Sequence, residues 1–246
     1  MDVEEILRIL DELIPQELAI ENDNIGYFSR NQERKDVDKI KILMDFLPEF
    51  EEEFETTDLI ITHHPPLFIP IIPTFVIHSN WDIIEGGAND ALVDYLELTS
   101  YSALDKETGI GRLCESNISL SKLKKLISRK FPNDPIKIVN DKNKKVKKIA
   151  IVSGYGLSDS NLINLAKSSK ADVYISGDLT HKNAILAKKL DITLKKNQNK
   201  TKNINNEDNF IKTIIIQRKL CHLEMCYVNW IKSSRKNTTL KNKAVD

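Results

Sequence analysis

Asp58-Leu59-Ile60-Ile61-Thr62, followed at once by His63-His64-Pro65-Pro66, is a short apolar run, rich in branched side chains, that ends on a stiff turn carrying two histidines. Such a run reads as a buried strand with helices on both faces, and His63 falls just past its carboxyl end. In open α/β sheets, ligands gather at that end. A second apolar run, Phe75-Val76-Ile77, delivers His78 in the same way.

Helical patterns surround these strands. Val3, Ile6, Leu7, Leu10, Leu13 and Ile14 recur at three-and-four spacing up to Pro15, which predicts an amphipathic helix over Val3–Leu13. Residues 37–45 read as strand and 48–54 as a short acidic helix. Beyond Gly86-Gly87, residues 89–98 read as a helix facing inward through Ala91, Leu92, Tyr95 and Leu96. A strand through Arg112-Leu113-Cys114 and a helix over Leu120–Lys130 follow. The lysine-rich stretch 141–148 is expected to be a solvated loop and a boundary between halves. The alternation then restarts, with strand at 148–153, a Gly154-Tyr155-Gly156 turn, helix at 160–169, strand at 171–176, helix at 182–189 and a new strand from Ile192-Thr193-Leu194. Alternating strands and helices indicate an α/β class with at least partly parallel sheets. The expected organisation is a first α/β lobe over 1–140, a second over 141–194, and a basic C-terminal segment over 195–246.

The 246 residues are 41% hydrophobic and 29% charged, the range of a chain that buries a core. A formal net charge of +0 excludes whole-chain attraction to nucleic acid or to a membrane. The charge is unevenly spread, however. Residues 195–246 hold twelve Lys or Arg against four Asp or Glu, nine asparagines, and neither Gly nor Pro. This reads either as a partly disordered basic tail in which 211–216 and 220–231 can dock or as a divergent ending, and its cations can make weak, non-specific nucleic-acid contacts. No run of about 18 apolar residues spans a bilayer, and the start Met1-Asp2-Val3-Glu4-Glu5 is acidic where a secretory leader is basic. A cytoplasmic protein without membrane contact is expected. Cys114, Cys221 and Cys226 lack metal or redox spacing and read as free thiols.

Three of the five histidines lie within 62–66 and 77–82. A single histidine at a strand end is most often a satisfied polar residue. Here a His-His-Pro turn and a His-x-x-x-Asp turn both fall at strand ends, and together they point to metal. Adjacent residues after a strand face different ways, so His63 and His64 can reach two ions roughly 3.5–4 Å apart, as two-metal hydrolases require. His78 and Asp82 add an imidazole and a hard carboxylate, a mixture suited to zinc, manganese, iron or cobalt rather than calcium.

The series Asp23-Asn24-Ile25-Gly26, His63-His64-Pro65, His78-Ser79-Asn80-Trp81-Asp82, Gly86-Gly87-Ala88-Asn89-Asp90-Ala91-Leu92, Gly109-Ile110-Gly111-Arg112 and Ala171-Asp172-Val173-Tyr174-Ile175-Ser176-Gly177-Asp178 closely resembles, in this order, the GTP cyclohydrolase 1 type 2 homologues, also called Ngg-interacting-factor-three-like proteins. The resemblance covers about residues 1–194. It implies two α/β lobes with mixed sheets flanking a metal-binding cleft, two divalent ions (Zn, Mn, Fe or Co), a ring-shaped homohexamer, and hydrolysis of a nucleotide or another phosphate-containing small molecule. His63, His64, His78 and Asp82 match the family's ligand positions. The family's C-terminal His-x-x-x-Glu turn, due soon after Leu194, is absent; His222 and Glu224, distant and differently spaced, are the candidates to replace it, the alternative being that these ligands are lost. The connection from His64 to His78 is short for the family, and the Asp23 motif lacks a second glycine.

Among the remaining candidates, Ser153-Gly154-Tyr155-Gly156 can bind an anion or serve only as a turn. Asp178 and His181 follow a strand end, and His181 is the candidate for orienting substrate or shuttling protons. Asn80, Asn89 and Asp90 are candidates for helix caps or for supports behind the ligands, and Arg112 for a phosphate contact or a salt bridge. The alternative to a hydrolase is a ring-forming protein that binds metal or nucleic acid without turnover, and metal delivery is a third reading.

Overall fold

The structure, a computed structural model, describes residues 1–30, 36–132, 136–140, 145–198 and 212–216. The chain divides into two compact units, one formed by Met1–Ala88 and the other by the described residues from Asn89 onward. The class is α/β, with a mixed sheet in each unit. Among the described residues no helix is long and apolar enough to cross a membrane.

The first unit runs α1 (Val3–Leu13), β1 (Gly26–Phe28), β2 (Ile40–Leu43), α2 (Phe50–Glu53), β3 (Leu59–Thr62), β4 (Thr74–Val76) and α3 (Ser79–Ile83). Its sheet has the order β1-β4-β3-β2; β3 is parallel to both neighbours, and β1 is antiparallel to β4. Every side chain of β3 is buried, and alternate residues enter different cores, as a two-residue period requires. Leu59 and Ile61 join Val3, Ile6, Leu10 and Ile14 of the first helix, with Phe75, Ile77 and Trp81. Ile60 joins Phe46, Phe54 and Ile72. Each such aliphatic side chain contributes roughly 1.5–3 kcal/mol on burial, so β3 is the pillar of this unit. Asp2 caps α1 by accepting from Glu4 N.

The second unit contains α4 (Ala88–Tyr95), whose first residue belongs to the other unit, then β5 (Thr99–Ala103), β6 (Arg112–Ser119), α5 (Leu120–Lys130), β7 (Ile136–Val139), β8 (Lys145–Ile151), α6 (Ser160–Ser168), β9 (Val173–Ser176), α7 (His181–Gln198) and β10 (Lys212–Ile216). Its sheet order is β5-β6-β8-β9-β10-β7. The run β8-β9-β10 is parallel, and the remaining pairs are antiparallel. Leu120, Leu123 and Ile127 of α5 pack with Leu92 and Val93 of α4 and Leu96 just beyond it on Val146, Ile149, Ile151, Val173 and Ile175. The β8–α6 turn is close-packed, since a Cβ on Gly156 would lie 2.3 Å from the Tyr174 hydroxyl.

Several expectations are corrected. The division falls at Ala88/Asn89 rather than near 140, because β5, β6 and β7 share one sheet with β8 and β9. Residues 145–147, read as loop, belong to β8, where Val146 is buried between exposed neighbours. Ile192-Thr193-Leu194 lie in helix, not strand: no Gly or Pro interrupts 181–198, and the Lys, Leu and Ala residues around these positions are good helix formers. Of the two readings of Arg112, the salt bridge is the one observed: it donates to Asp90 through Nε and through Nη2 at 2.8 Å, and its Nη1 donates to the carbonyls of Gly109 and Gly111.

The guanidinium of Arg112 is almost fully buried, so removing its carboxylate partner leaves a charge out of water. Asp90→Ala is expected to destabilise the protein by about 3 kcal/mol in urea unfolding. Leu67→Ser, at a fully exposed position, is expected to stay within about 0.5 kcal/mol of the parent.

Candidate metal centre

The carboxyl ends of β3 and β4 lie side by side because the two strands are parallel, with Thr62 in register with Val76. Pairing continues past them: Ile77 N donates to Thr62 O at 2.9 Å, and His63 N and His64 N donate to Leu43 O and Met44 O at 3.1 and 2.9 Å. The backbone of both histidines is thus held as firmly as the strand itself. His78 is held by its amide, which donates to Asn80 Oδ1 at 3.0 Å, while Asn80 Nδ2 donates to Ile14 O at 3.1 Å. Asp82 N donates to His78 O at 3.1 Å, which places the carboxylate one turn along α3.

These segments bring three imidazoles together. Ring centroids are 4.8 Å apart for His63 and His64, 5.0 Å for His63 and His78, and 5.7 Å for His64 and His78. One nitrogen from each lies within 4.8 Å of the others, an arrangement that can hold a metal ion. Asp82 Oδ1 stands 4.0 Å from His63 Nε2. His63 is buried, and the His64 and His78 side chains are about one-third exposed.

Each ring is anchored at the same atom. His63 Nδ1 donates to the carbonyl of Ile77 at 2.9 Å, His64 Nδ1 to Asp45 at 2.7 Å, and His78 Nδ1 to Asp23 at 2.8 Å. A carbonyl or carboxylate oxygen can only accept, so each neutral ring carries its proton on Nδ1 and its lone pair on Nε2. Metal-binding histidines characteristically have this support behind them. Asp45 and Asp23 were not picked out in the sequence as partners of histidine, because they lie 19 and 55 residues from the rings they hold.

The electrostatics agree. Burial, then the neighbouring imidazoles, push His63 down to about 3, so it is neutral at physiological pH. Burial and then Asp23 push the Asp82 carboxyl up to about 8. Burial would raise Asp23, but hydrogen bonds from the Ser79 hydroxyl, His78 and the Ser79 amide outweigh it and hold Asp23 below the ordinary carboxylate value. Three imidazole nitrogens beside a buried carboxyl, whose charged form an adjacent cation would favour, fit a divalent first-row ion.

The other sequence candidates fall elsewhere. His181 is the exposed first residue of α7 in the second unit, and Asp178, also exposed, has a left-handed backbone with φ 56°. Asn89 Oδ1 accepts from Ser153 N at 2.8 Å. Gly154 O accepts from Gly177 N and Ser176 Oγ, so this turn ties β8 to β9. Cys114 is a buried free cysteine whose thiol burial pushes up to about 12. His222, Glu224, Cys221 and Cys226 lie outside the described residues.

Comparison with known proteins gives the chain relatives in sequence and in fold. The family model described as Duf34/NIF3 (NGG1p interacting factor 3) matches residues 1–74 and 71–214. A GTP cyclohydrolase 1 type 2 homolog of Methanothermobacter thermautotrophicus is 40% identical over 192 residues, spanning 78% of this chain and 79% of that protein. One from Methanocaldococcus jannaschii is 32% identical over 216 residues, spanning 79% and 86%. Among solved structures, reduced HcgD from Methanocaldococcus jannaschii aligns with a TM-score of 0.72 at 26% identity, over 96% of this chain and 94% of that one. The Staphylococcus aureus hypothetical protein SA1388 shares the fold, with a TM-score of 0.74 at 20% identity over 99% and 93%.

Nitrogen NMR of the chelator-treated protein near neutral pH tests the anchoring directly. Each of the three clustered imidazoles is expected to carry a proton on Nδ1; an Nε2–H tautomer at any of them contradicts the hydrogen bonding described.

Proposed function

The chain belongs to the Duf34/NIF3 family, and from that membership and its three anchored imidazoles we propose that it is a metal-dependent hydrolase-like protein with a di-metal centre acting on a nucleotide or another phosphate-containing substrate. The observation that carries this reading is the convergence of His63, His64 and His78 ligand atoms within 4.8 Å, with every Nδ1 engaged by an acceptor. His63, His64, His78 and Asp82 are the residues that would hold the ions. Bound divalent ions supply Lewis acidity that activates water near neutral pH and polarises the attacked group.

The chain's own part is to prepare that chemistry. The Ile77 carbonyl fixes the buried His63 ring, while Asp45 and Asp23 hold the two partly exposed rings, which a substrate can approach. Asp82, set on a helical turn next to His63, supplies the hard oxygen donor. Several relatives carry the name GTP cyclohydrolase 1 type 2 homolog, so GTP is the first substrate to test, followed by dinucleotides. A homohexameric ring in the cytoplasm is the assembly and setting this reading adopts. The excess of twelve cationic over four acidic residues in 195–246 favours the second reading, a ring that binds metal and, weakly, nucleic acid without turnover.

Metal analysis of the purified protein is expected to find roughly one to two ions per chain, reduced in His64→Ala. Protein that stays metal-free after incubation with zinc, manganese, iron or cobalt overturns the centre. Turnover of GTP or a dinucleotide in the loaded protein supports the hydrolase, and metal binding without turnover supports the second reading. His181→Asn is expected to lower turnover at unchanged metal content; unchanged turnover removes His181 from the reaction.

A further inference from the structure

The two carboxylates behind the histidines are built differently. Asp45 meets His64 at 2.7 Å from a position where its side chain is 40% exposed. Asp23 is 7% exposed and receives three donors. His78 Nδ1 reaches its Oδ1 at 2.8 Å, while Ser79 N at 3.0 Å and Ser79 Oγ at 2.5 Å reach its Oδ2. Ser79 Oγ in turn accepts from Ile20 N at 3.0 Å, which fixes the direction of its own proton toward Asp23. A polarised chain therefore runs from the Ile20 amide through the Ser79 hydroxyl and the Asp23 carboxylate to the His78 ring, and its two middle members are sheltered from water, which strengthens such bonds.

We propose that Asp23 is a positioning residue for the metal centre, one that holds His78 in its Nδ1–H tautomer and raises the donor strength of its Nε2, and that Ser79 sets the orientation of Asp23. This rests on the metal-binding reading above and assigns the Asp23-Asn24-Ile25-Gly26 segment a role: its carboxylate, supplied 55 residues upstream of His78, controls ligand quality without touching the ion. The chemistry of an amide replacement makes the role testable. An asparagine at 23 would keep its Oδ1 for the Ser79 amide and hydroxyl and turn its Nδ2–H₂ toward His78 Nδ1. That ring nitrogen must then accept, the proton moves to Nε2, and the ligand lone pair is lost. Asp45, exposed and bearing on a ring that is not part of this chain of bonds, is expected to matter less.

The test compares Asp23→Asn, Asp45→Asn and the parent protein by zinc affinity, measured in competition with a chelator, and by nitrogen NMR of the His78 ring in the zinc-free state. Asp23→Asn is expected to bind zinc about 10- to 100-fold more weakly and to show His78 as Nε2–H. Asp45→Asn is expected to lose less. Parent-like affinity together with an unchanged Nδ1–H ring in Asp23→Asn overturns the proposal. Should that variant fail to fold, Ser79→Ala, which removes only the hydroxyl from the chain, is expected to weaken zinc binding about 2- to 10-fold, and parent-like affinity there overturns the proposal instead. If the parent itself binds no zinc, the metal reading fails, yet the tautomer of His78 in zinc-free Asp23→Asn still decides what Asp23 does.

Discussion

A neutral imidazole has one ring lone pair to offer, and the hydrogen bond made by its other nitrogen decides where that pair resides. Three such rings meet here with the same nitrogen, Nδ1, committed to an acceptor. The proposed metal centre depends on this. The Ile77 carbonyl reaches His63 because β3 and β4 are parallel and in register one residue earlier, at Thr62 and Val76. That register is held by a strand whose alternate side chains bury into two separate cores. Core packing, strand register and imidazole tautomer are successive links of one chain of causes.

The acceptors differ in kind. A carbonyl holds the buried ring, and carboxylates hold the two that reach solvent. A carboxylate makes its histidine a better metal donor than a carbonyl does, so the proposed centre pairs a rigid, weakly supported nitrogen with two strengthened ones. Burial keeps His63 neutral, the state a ligand needs, and also disfavours charge on Asp82, which a cation beside it would restore.

Much of the fold was legible in the sequence. α1 and α5 match the expected helices end to end, because both carry a clean three-and-four apolar period and a side-chain cap. β3 was equally plain as a continuous apolar run. β5 was not seen, since Thr99-Ser100-Tyr101-Ser102-Ala103 is an edge strand with little to bury. β1 is three residues long and follows a turn. The misread strand at Ile192-Thr193-Leu194 shows branched side chains outvoted by a helix already under way. In the site, the three histidines declared themselves by clustering. Asp23, Ser79 and Asp45 as partners did not, because the contacts that give them meaning join residues distant in sequence. His181 stood out only by following a strand end, and its position in the second unit says nothing of the cluster in the first.

The central claim is that the lone pairs of His63, His64 and His78 converge on a common cation site through Nε2. Anomalous diffraction from crystals of the full chain grown with zinc tests it most directly. The account expects zinc peaks bonded to the Nε2 atoms of these rings, with every Nδ1 still on its acceptor. Zinc bonded through Nδ1, or crystals rich in zinc with no peak at this cluster, would contradict it.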